Sequence, residues 1–206
     1  MSTTQSKTTI PYSRRELLKA GAFGLLAVSA APMLFSGHAA HAAANSGRKR
    51  LTVYYSRTDN TRVMARYIHE MVGGDILEVK PVTPYSGDYT TATLDSRREL
   101  LTGVRTPIQP INAVIASYDV IFLGSPRWWG TLSVPILNFV LGNDLSGKTI
   151  VPFTTHGGGP QEKTFDDLQL LCPKAKVLEG LPINGSSVRS SQNEISGWLR
   201  KVGMNR

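Results

Sequence analysis

Strands and helices alternate along most of this chain, which predicts a three-layer α/β/α sandwich on a five-stranded parallel sheet in the order 2-1-3-4-5. Three observations carry that prediction. The alternation itself is the first. The second is an almost unbroken apolar run, Tyr118-Asp119-Val120-Ile121-Phe122-Leu123-Gly124, of the kind found in parallel strands buried on both faces. The third is size: once the first 44 residues are set aside, 162 of the 206 remain, enough for one well-buried core.

Those 44 residues read as an export signal. Ser13-Arg14-Arg15-Glu16-Leu17-Leu18-Lys19 is followed by an uncharged stretch from Ala20 to Phe35 and then by Ala40-His41-Ala42 and Ala42-Ala43-Ala44. Basic, apolar and small-residue zones in that order form a cleavable leader. The paired arginines resemble the twin-arginine route of bacteria, which implies recognition by that export machinery, a periplasmic location and membrane contact only during export. The route also resembles a path for folded, cofactor-loaded proteins. The uncharged stretch has 16 residues, short of the roughly 18 to 20 a spanning helix needs. An uncleaved anchor and a general secretory signal are the alternatives. The expected division is a signal over 1–44 and one domain over 45–206.

Each element follows from local pattern. Leu51 to Tyr55 is β-branched and aromatic, a strand. Asn60 to Val72 places Val63, Met64, Tyr67, Ile68 and Met71 on one helical face, and Gly73-Gly74 ends it. Asp75 to Lys80 alternates as a second strand. Pro81 to Tyr89 is a loop, Thr91 to Leu101 a polar helix, and Thr106-Pro107-Ile108-Gln109-Pro110 a break. Ile111 to Ala116 is read as a short helix before the third strand, Tyr118 to Gly124. Val134 to Leu141 is a helix, Lys148 to Thr155 the fourth strand, Gln161 to Leu171 a helix, Lys176 to Leu178 the fifth strand and Ser190 to Val202 the last helix.

Charge and cysteine narrow the function classes. The mature part carries 19 basic and 14 acidic residues, a modest +5. Its one basic cluster, Arg48-Lys49-Arg50, reads as a solvated edge and not as a nucleic-acid patch. The single cysteine, Cys172, excludes an internal disulfide and a CxxC redox pair, and its apolar neighbours mark it as a packing residue. His69 and His156 are the only histidines after the leader and lack ligand-spaced partners, so no metal site is expected.

In a sheet of this order a ligand sits beyond the carboxyl ends of the strands. Three loops there carry unusual residues. The first, Ser56-Arg57-Thr58-Asp59-Asn60-Thr61, has three hydroxyls and opens into a helix, whose free amides and dipole form an anion site suited to a phosphate. Simple helix capping is the alternative. The missing Gly-Lys-Ser/Thr excludes a Walker-type loop. The second, Gly124-Ser125-Pro126-Arg127-Trp128-Trp129-Gly130-Thr131, offers indole faces to a flat π-system; the alternative is that both tryptophans pack over the following helix as core, which is expected of at least one of them. Arg127 is either solvated or near an anionic ring. The third, Thr154-Thr155-His156-Gly157-Gly158-Gly159-Pro160, exposes backbone amides for the polar edge of a heterocycle. His156 is either structural or a proton carrier.

Together, Tyr55 to Thr61, Gly124 to Gly130 and Thr155 to Gly159 resemble the three FMN loops of the flavodoxin-like family, in order and spacing. The similarity runs from about Leu51 to about Ile183. The resemblance implies that Ser56, Thr58, Asn60 and Thr61, with Arg57 beside them, hold the FMN phosphate. It lays Pro126, Arg127, Trp128, Trp129 and Gly130 along the isoalloxazine, and sets Thr155, His156, Gly157, Gly158 and Gly159 at its pyrimidine edge. One departure stands out: Asp59 occupies a position where the phosphate loop usually has glycine. A carboxylate beside a dianion costs Coulomb energy unless it points to solvent, and aspartate tolerates the left-handed backbone better than most residues. The resemblance implies a redox flavoprotein. A small reductase, with quinones as an analogy, is expected from the basic surface and the tryptophan loop. The electron donor and acceptor are not identified, and no nicotinamide motif is visible. A one-electron carrier and a non-redox binding module on the same scaffold are the alternatives.

Overall fold

The computed structural model describes residues 47–159 and 162–205, so the expected leader lies outside the described residues. Among the described residues, seven strands and five α-helices follow one another in a largely alternating order. The strands are β1 (Arg50–Tyr54), β2 (Asp75–Glu78), β3 (Val120–Trp128), β4 (Thr131–Leu132), β5 (Thr149–His156), β6 (Lys176–Val177) and β7 (Leu181–Asn184). The helices are α1 (Asn60–Val72), α2 (Tyr89–Thr102), α3 (Val134–Gly142), α4 (Glu162–Leu171) and α5 (Gln192–Lys201). The sheet runs β2-β1-β3-β5-β6, all parallel, with β7 also parallel to β5. That is the expected 2-1-3-4-5 order.

Strand alternation sends side chains to two separate cores, which makes the three layers. Leu51 and Val53 of β1 and Ile121 and Leu123 of β3 face Ile136, Phe139 and Leu168 from α3 and α4. On the opposite face, Tyr54, Val120, Phe122, Val151 and Phe153 pack on Met64 and Ile68 of α1 and on Ile195, Trp198 and Leu199 of α5. Gly124 sits where the sheet is tightest. It pairs with Phe153, and a Cβ there would collide with that ring. Cys172 is buried in the first core, and burial pushes its thiol up to about 11.

Five expectations are corrected. The fifth strand is two short ones, because β5 is longer than either partner: β6 pairs with its start and β7 with its end. Pro182 masked β7 in the sequence. The expected loop after the third strand is a hairpin, since β3 continues to Trp128 and β4 returns antiparallel. Ile111 to Ala116 is not a helix; one 3-10 turn covers Ile115–Ser117. Two prolines lie just upstream, at Pro107 and Pro110, and the segment is too short to hold more than that one turn. The second strand stops at Glu78, since the chain bends at Lys80 and Pro81 to bridge Ile108. Lastly, Arg50 is buried: its guanidinium donates to the Val72 carbonyl at 2.9 Å and satisfies the end of α1.

Candidate functional site

A cleft of about 430 Å3 opens at the carboxyl ends of β1, β3, β5 and β7. Its walls come from the three loops read in the sequence and from two segments that were not.

The first wall is the turn from β1 into α1. Asp59 caps the helix in the left-handed conformation, with φ 67° and ψ −16°, and its side chain accepts from none of the helix amides. The first-turn amides of α1 are therefore left without a side-chain cap. Capping, the alternative reading of the three hydroxyls, does not describe this helix. Ser56 is 9% exposed, and its Oγ is buried without a partner. A buried hydroxyl without a partner is costly, and an acceptor in the adjoining space would satisfy it. Thr58 and Asn60 line the cleft. Thr61 does not, because its hydroxyl bonds Thr155 Oγ1 at 2.8 Å and ties the first loop to the third. Arg57 reaches across the mouth toward the carbonyls of Ser86 and Gly87 at 3.4 and 3.3 Å, with its guanidinium 5.6 Å from the Tyr89 ring.

The β3–β4 hairpin forms the second wall. Its two turn residues, Trp129 at φ 52° and Gly130 at φ 83°, are both left-handed, the geometry of a two-residue primed turn. Glycine suits that backbone, whereas a tryptophan there stores strain of roughly 1–3 kcal/mol. Ser125 Oγ locks the base of the hairpin, accepting from the Ser133 amide at 2.9 Å. The two indoles part ways. Trp128 joins Tyr55 and Tyr85 in edge-on contacts at 5.6 and 4.9 Å. Burial drives the Tyr55 hydroxyl up to about 12. Trp129, 39% exposed, donates from Nε1 to Thr93 O and Ser96 Oγ, while Arg97 stands 4.9 Å from its ring. Both indoles border the cleft, as do Pro126 and Arg127; Gly130 does not.

The third wall ends β5. Thr155, His156 and Gly157 line the cleft, whereas Gly158 and Gly159 do not. Arg127 explains their place. Its guanidinium donates to Gly158 O at 2.9 Å and packs where a Gly159 Cβ would be. So Arg127 is held against the third loop and is not a solvated charge. Gly158 N donates to His156 Nδ1 at 3.0 Å, which leaves the ring proton on Nε2. Burial, and then the Arg127 charge, push His156 below its ordinary value and keep it neutral near pH 7.

Two further segments were missed. One is α2, which contributes Tyr89, Thr93 and Ser96. Its sequence carries no clean apolar face, so nothing marked it as part of a pocket. The other is Asn184-Gly185-Ser186 after β7, closed by Ser186 N to Asn184 Oδ1 at 3.0 Å. The rule that ligands lie beyond strand carboxyl ends would have found it, had β7 been recognised.

Comparison with known proteins gives the family and the fold. The family profile described as flavodoxin matches residues 49–202. A candidate flavoprotein of Bacteroides eggerthii is 31% identical, covers 76% of this chain and 98% of its own, and superposes with a TM-score of 0.67. Another from Bacteroides uniformis is 26% identical, with 75% and 99% coverage and a TM-score of 0.65. A Lactobacillus acidophilus flavoprotein in complex with FMN is 23% identical, with 70% and 98% coverage and a TM-score of 0.60, a likeness of fold. No curated protein matches the chain.

Proposed function

The chain belongs to the flavodoxin family, and from that premise we propose that it binds FMN in this cleft and acts outside the cytoplasm as a small FMN-dependent reductase. The observation that carries the cofactor reading is the approach to α1. Its amides take no hydrogen bond from the Asp59 side chain, and in the turn that leads into it the buried Ser56 hydroxyl has no partner. Ser56, Thr58 and Asn60 would hold the phosphate there, with the first-turn amides of α1. Trp128, Trp129 and Pro126 would border the ring, and the Thr155 to Gly157 backbone its polar edge.

When bound, the isoalloxazine supplies one- or two-electron transfer. The chain supplies position and electrostatics. The Thr61–Thr155 hydroxyl bond keeps the phosphate and ring loops in fixed relation. Neutral His156 keeps a hydrogen on Nε2 and adds no charge to the cleft. Arg127 holds the glycine loop at its turn.

A reductase is favoured over a pure shuttle because the cleft continues past the three loops onto α2. Tyr89 and Thr93 there give a second flat molecule, such as a quinone, a wall of its own. The leader supports twin-arginine export and a periplasmic site of action. Soluble nicotinamide cofactors are expected to be scarce there, so a protein or membrane donor fits better.

The test is spectroscopic. The protein purified from its own cells is expected to be yellow and to release FMN on heating. Anaerobic titration with a reductant is expected to pass directly to the two-electron form. A stabilised semiquinone would make it a one-electron carrier. A protein that stays colourless after incubation with FMN would overturn the cofactor reading.

A further inference from the structure

Asp59 is anomalous twice over. Its backbone sits at φ 67°, a conformation glycine adopts freely, and its carboxylate stands at the entrance of the helix whose amides face the proposed phosphate. A free carboxylate there would repel a dianion through a partly desolvated cleft. Its side chain is 59% exposed, however, and pairs with Arg62, one turn into α1. Arg62 is itself fixed from the other side, donating from Nη2 to Glu78 Oε1 at 2.6 Å. Glu78 ends β2, which is registered on β1 with Glu78 beside Tyr54. The guanidinium therefore reaches Asp59 from an anchored position.

We infer that Arg62 is a positioning residue for the phosphate loop: anchored on Glu78, it turns the Asp59 carboxylate outward, offsets its charge and so permits an aspartate in the left-handed position. This rests on the FMN reading. It assigns a dependence no motif contains, since FMN affinity should need Arg62 only while residue 59 is an aspartate. It also makes the effect specific to the phosphate. Riboflavin, with the same ring and no dianion, should be nearly indifferent to the pair.

The experiment is fluorescence titration of the full-chain apoprotein with FMN and with riboflavin at low salt. Arg62→Ala is expected to raise the FMN Kd about tenfold or more and to change the riboflavin Kd less than about twofold. Adding Asp59→Gly to Arg62→Ala is expected to return FMN affinity to within about threefold of the native chain. Raising salt toward about 0.5 M should shrink the Arg62→Ala deficit, because screening weakens a charge effect and leaves a packing defect unchanged. Arg62→Lys should recover much of the loss.

Equal weakening of both ligands, or an FMN loss that persists with Asp59→Gly and in high salt, overturns the inference. Unchanged FMN affinity in Arg62→Ala overturns it as well. Should that variant fail to fold by circular dichroism, the uncharged near-isosteric pair Asp59→Asn with Arg62→Gln carries the test, expected to bind FMN within about threefold of the native chain. A native chain that binds neither ligand refutes the FMN reading instead, so the two failures are distinguishable.

Discussion

The two helices that border the cleft are built by opposite rules. α1 is strongly amphipathic and buries Met64, Ala65, Ile68 and Val72 against the sheet. α2 buries Ser96 and Glu99 beside only Ala92 and Leu100, and leaves Leu94 and Leu101 exposed at 60% and 54%. Polar bonds carry a larger share of its attachment. Asp88 caps it by accepting from the Thr91 amide at 2.8 Å, and Trp129 bonds Thr93 and Ser96. The buried Glu99 carboxylate accepts from the Tyr85 hydroxyl and from the amide and hydroxyl of Thr106. Apolar packing makes a stiff wall, whereas a helix that leans on a few directional bonds is more prone to local opening. On the proposed reading, the phosphate end rests on the apolar-packed helix, and the side left for a second molecule rests on the one held more by hydrogen bonds.

Substitutions in each helix test that contrast. Ile68→Ala should destabilise the protein by about 2–5 kcal/mol in denaturant unfolding, since its side chain is fully buried. A loss below about 1 kcal/mol would remove the claim that α1 is the stiff element. Glu99→Ala should cost about 1–3 kcal/mol and speed amide exchange between residues 85 and 106, leaving α1 protected. Global acceleration of exchange would mean that α2 is part of one cooperative unit with α1.

Ser56→Ala separates stability from binding. The hydroxyl has no partner, so the apoprotein should be as stable as the native chain or slightly more so. FMN binding should weaken by roughly 1.5–3 kcal/mol, the worth of a hydrogen bond to a charged group, and Thr58→Ala by the same order. Equal affinity in fluorescence titration would take both hydroxyls out of the phosphate site.

The pH effect is smaller. His156 is held below its ordinary value, first by burial and then by Arg127, so the unfolded chain takes up its proton more readily. Stability from this group is full above about pH 6.5 and declines as pH falls toward its lowered folded value. His156→Asn should flatten that acid-side slope in thermal melts; an unchanged slope would show that the ring is not shielded. Smallest of all, Leu94→Ala on the exposed side of α2 should shift stability by no more than about 0.5 kcal/mol.

The same contrast explains what the sequence disclosed. Helix α1 announced itself through the spacing of Met64, Ile68 and its neighbours, and the central strand through Val120 to Leu123, because burial imposes a period or a run. The turns at the carboxyl ends of β1, β3 and β5 were legible because they carry hydroxyls, indoles and glycines that packing alone does not demand. Ten of the fifteen residues drawn from them line the cleft. Thr61, Gly130, Gly158 and Gly159 do not line it, nor does Ser56, whose Oγ is buried. Helix α2 was seen as a helix but not as a wall, since hydrogen bonds through Ser96 and Glu99 leave no hydropathy pattern. The β3–β4 hairpin was hidden because its turn places a tryptophan where glycine or asparagine is usual. The division of labour between Asp59 and Arg62 needed the third dimension, as Glu78 comes from another strand.

The central claim is that a phosphate dianion is gripped by the amides and hydroxyls at the start of α1. The most direct measurement is the phosphorus-31 resonance of FMN bound to the full chain, followed from about pH 5 to pH 8, across the second ionisation of a free phosphate monoester near 6. A shift that stays constant over that range is the predicted result, because a held dianion resists protonation. A resonance that titrates as it does for free FMN would contradict the account.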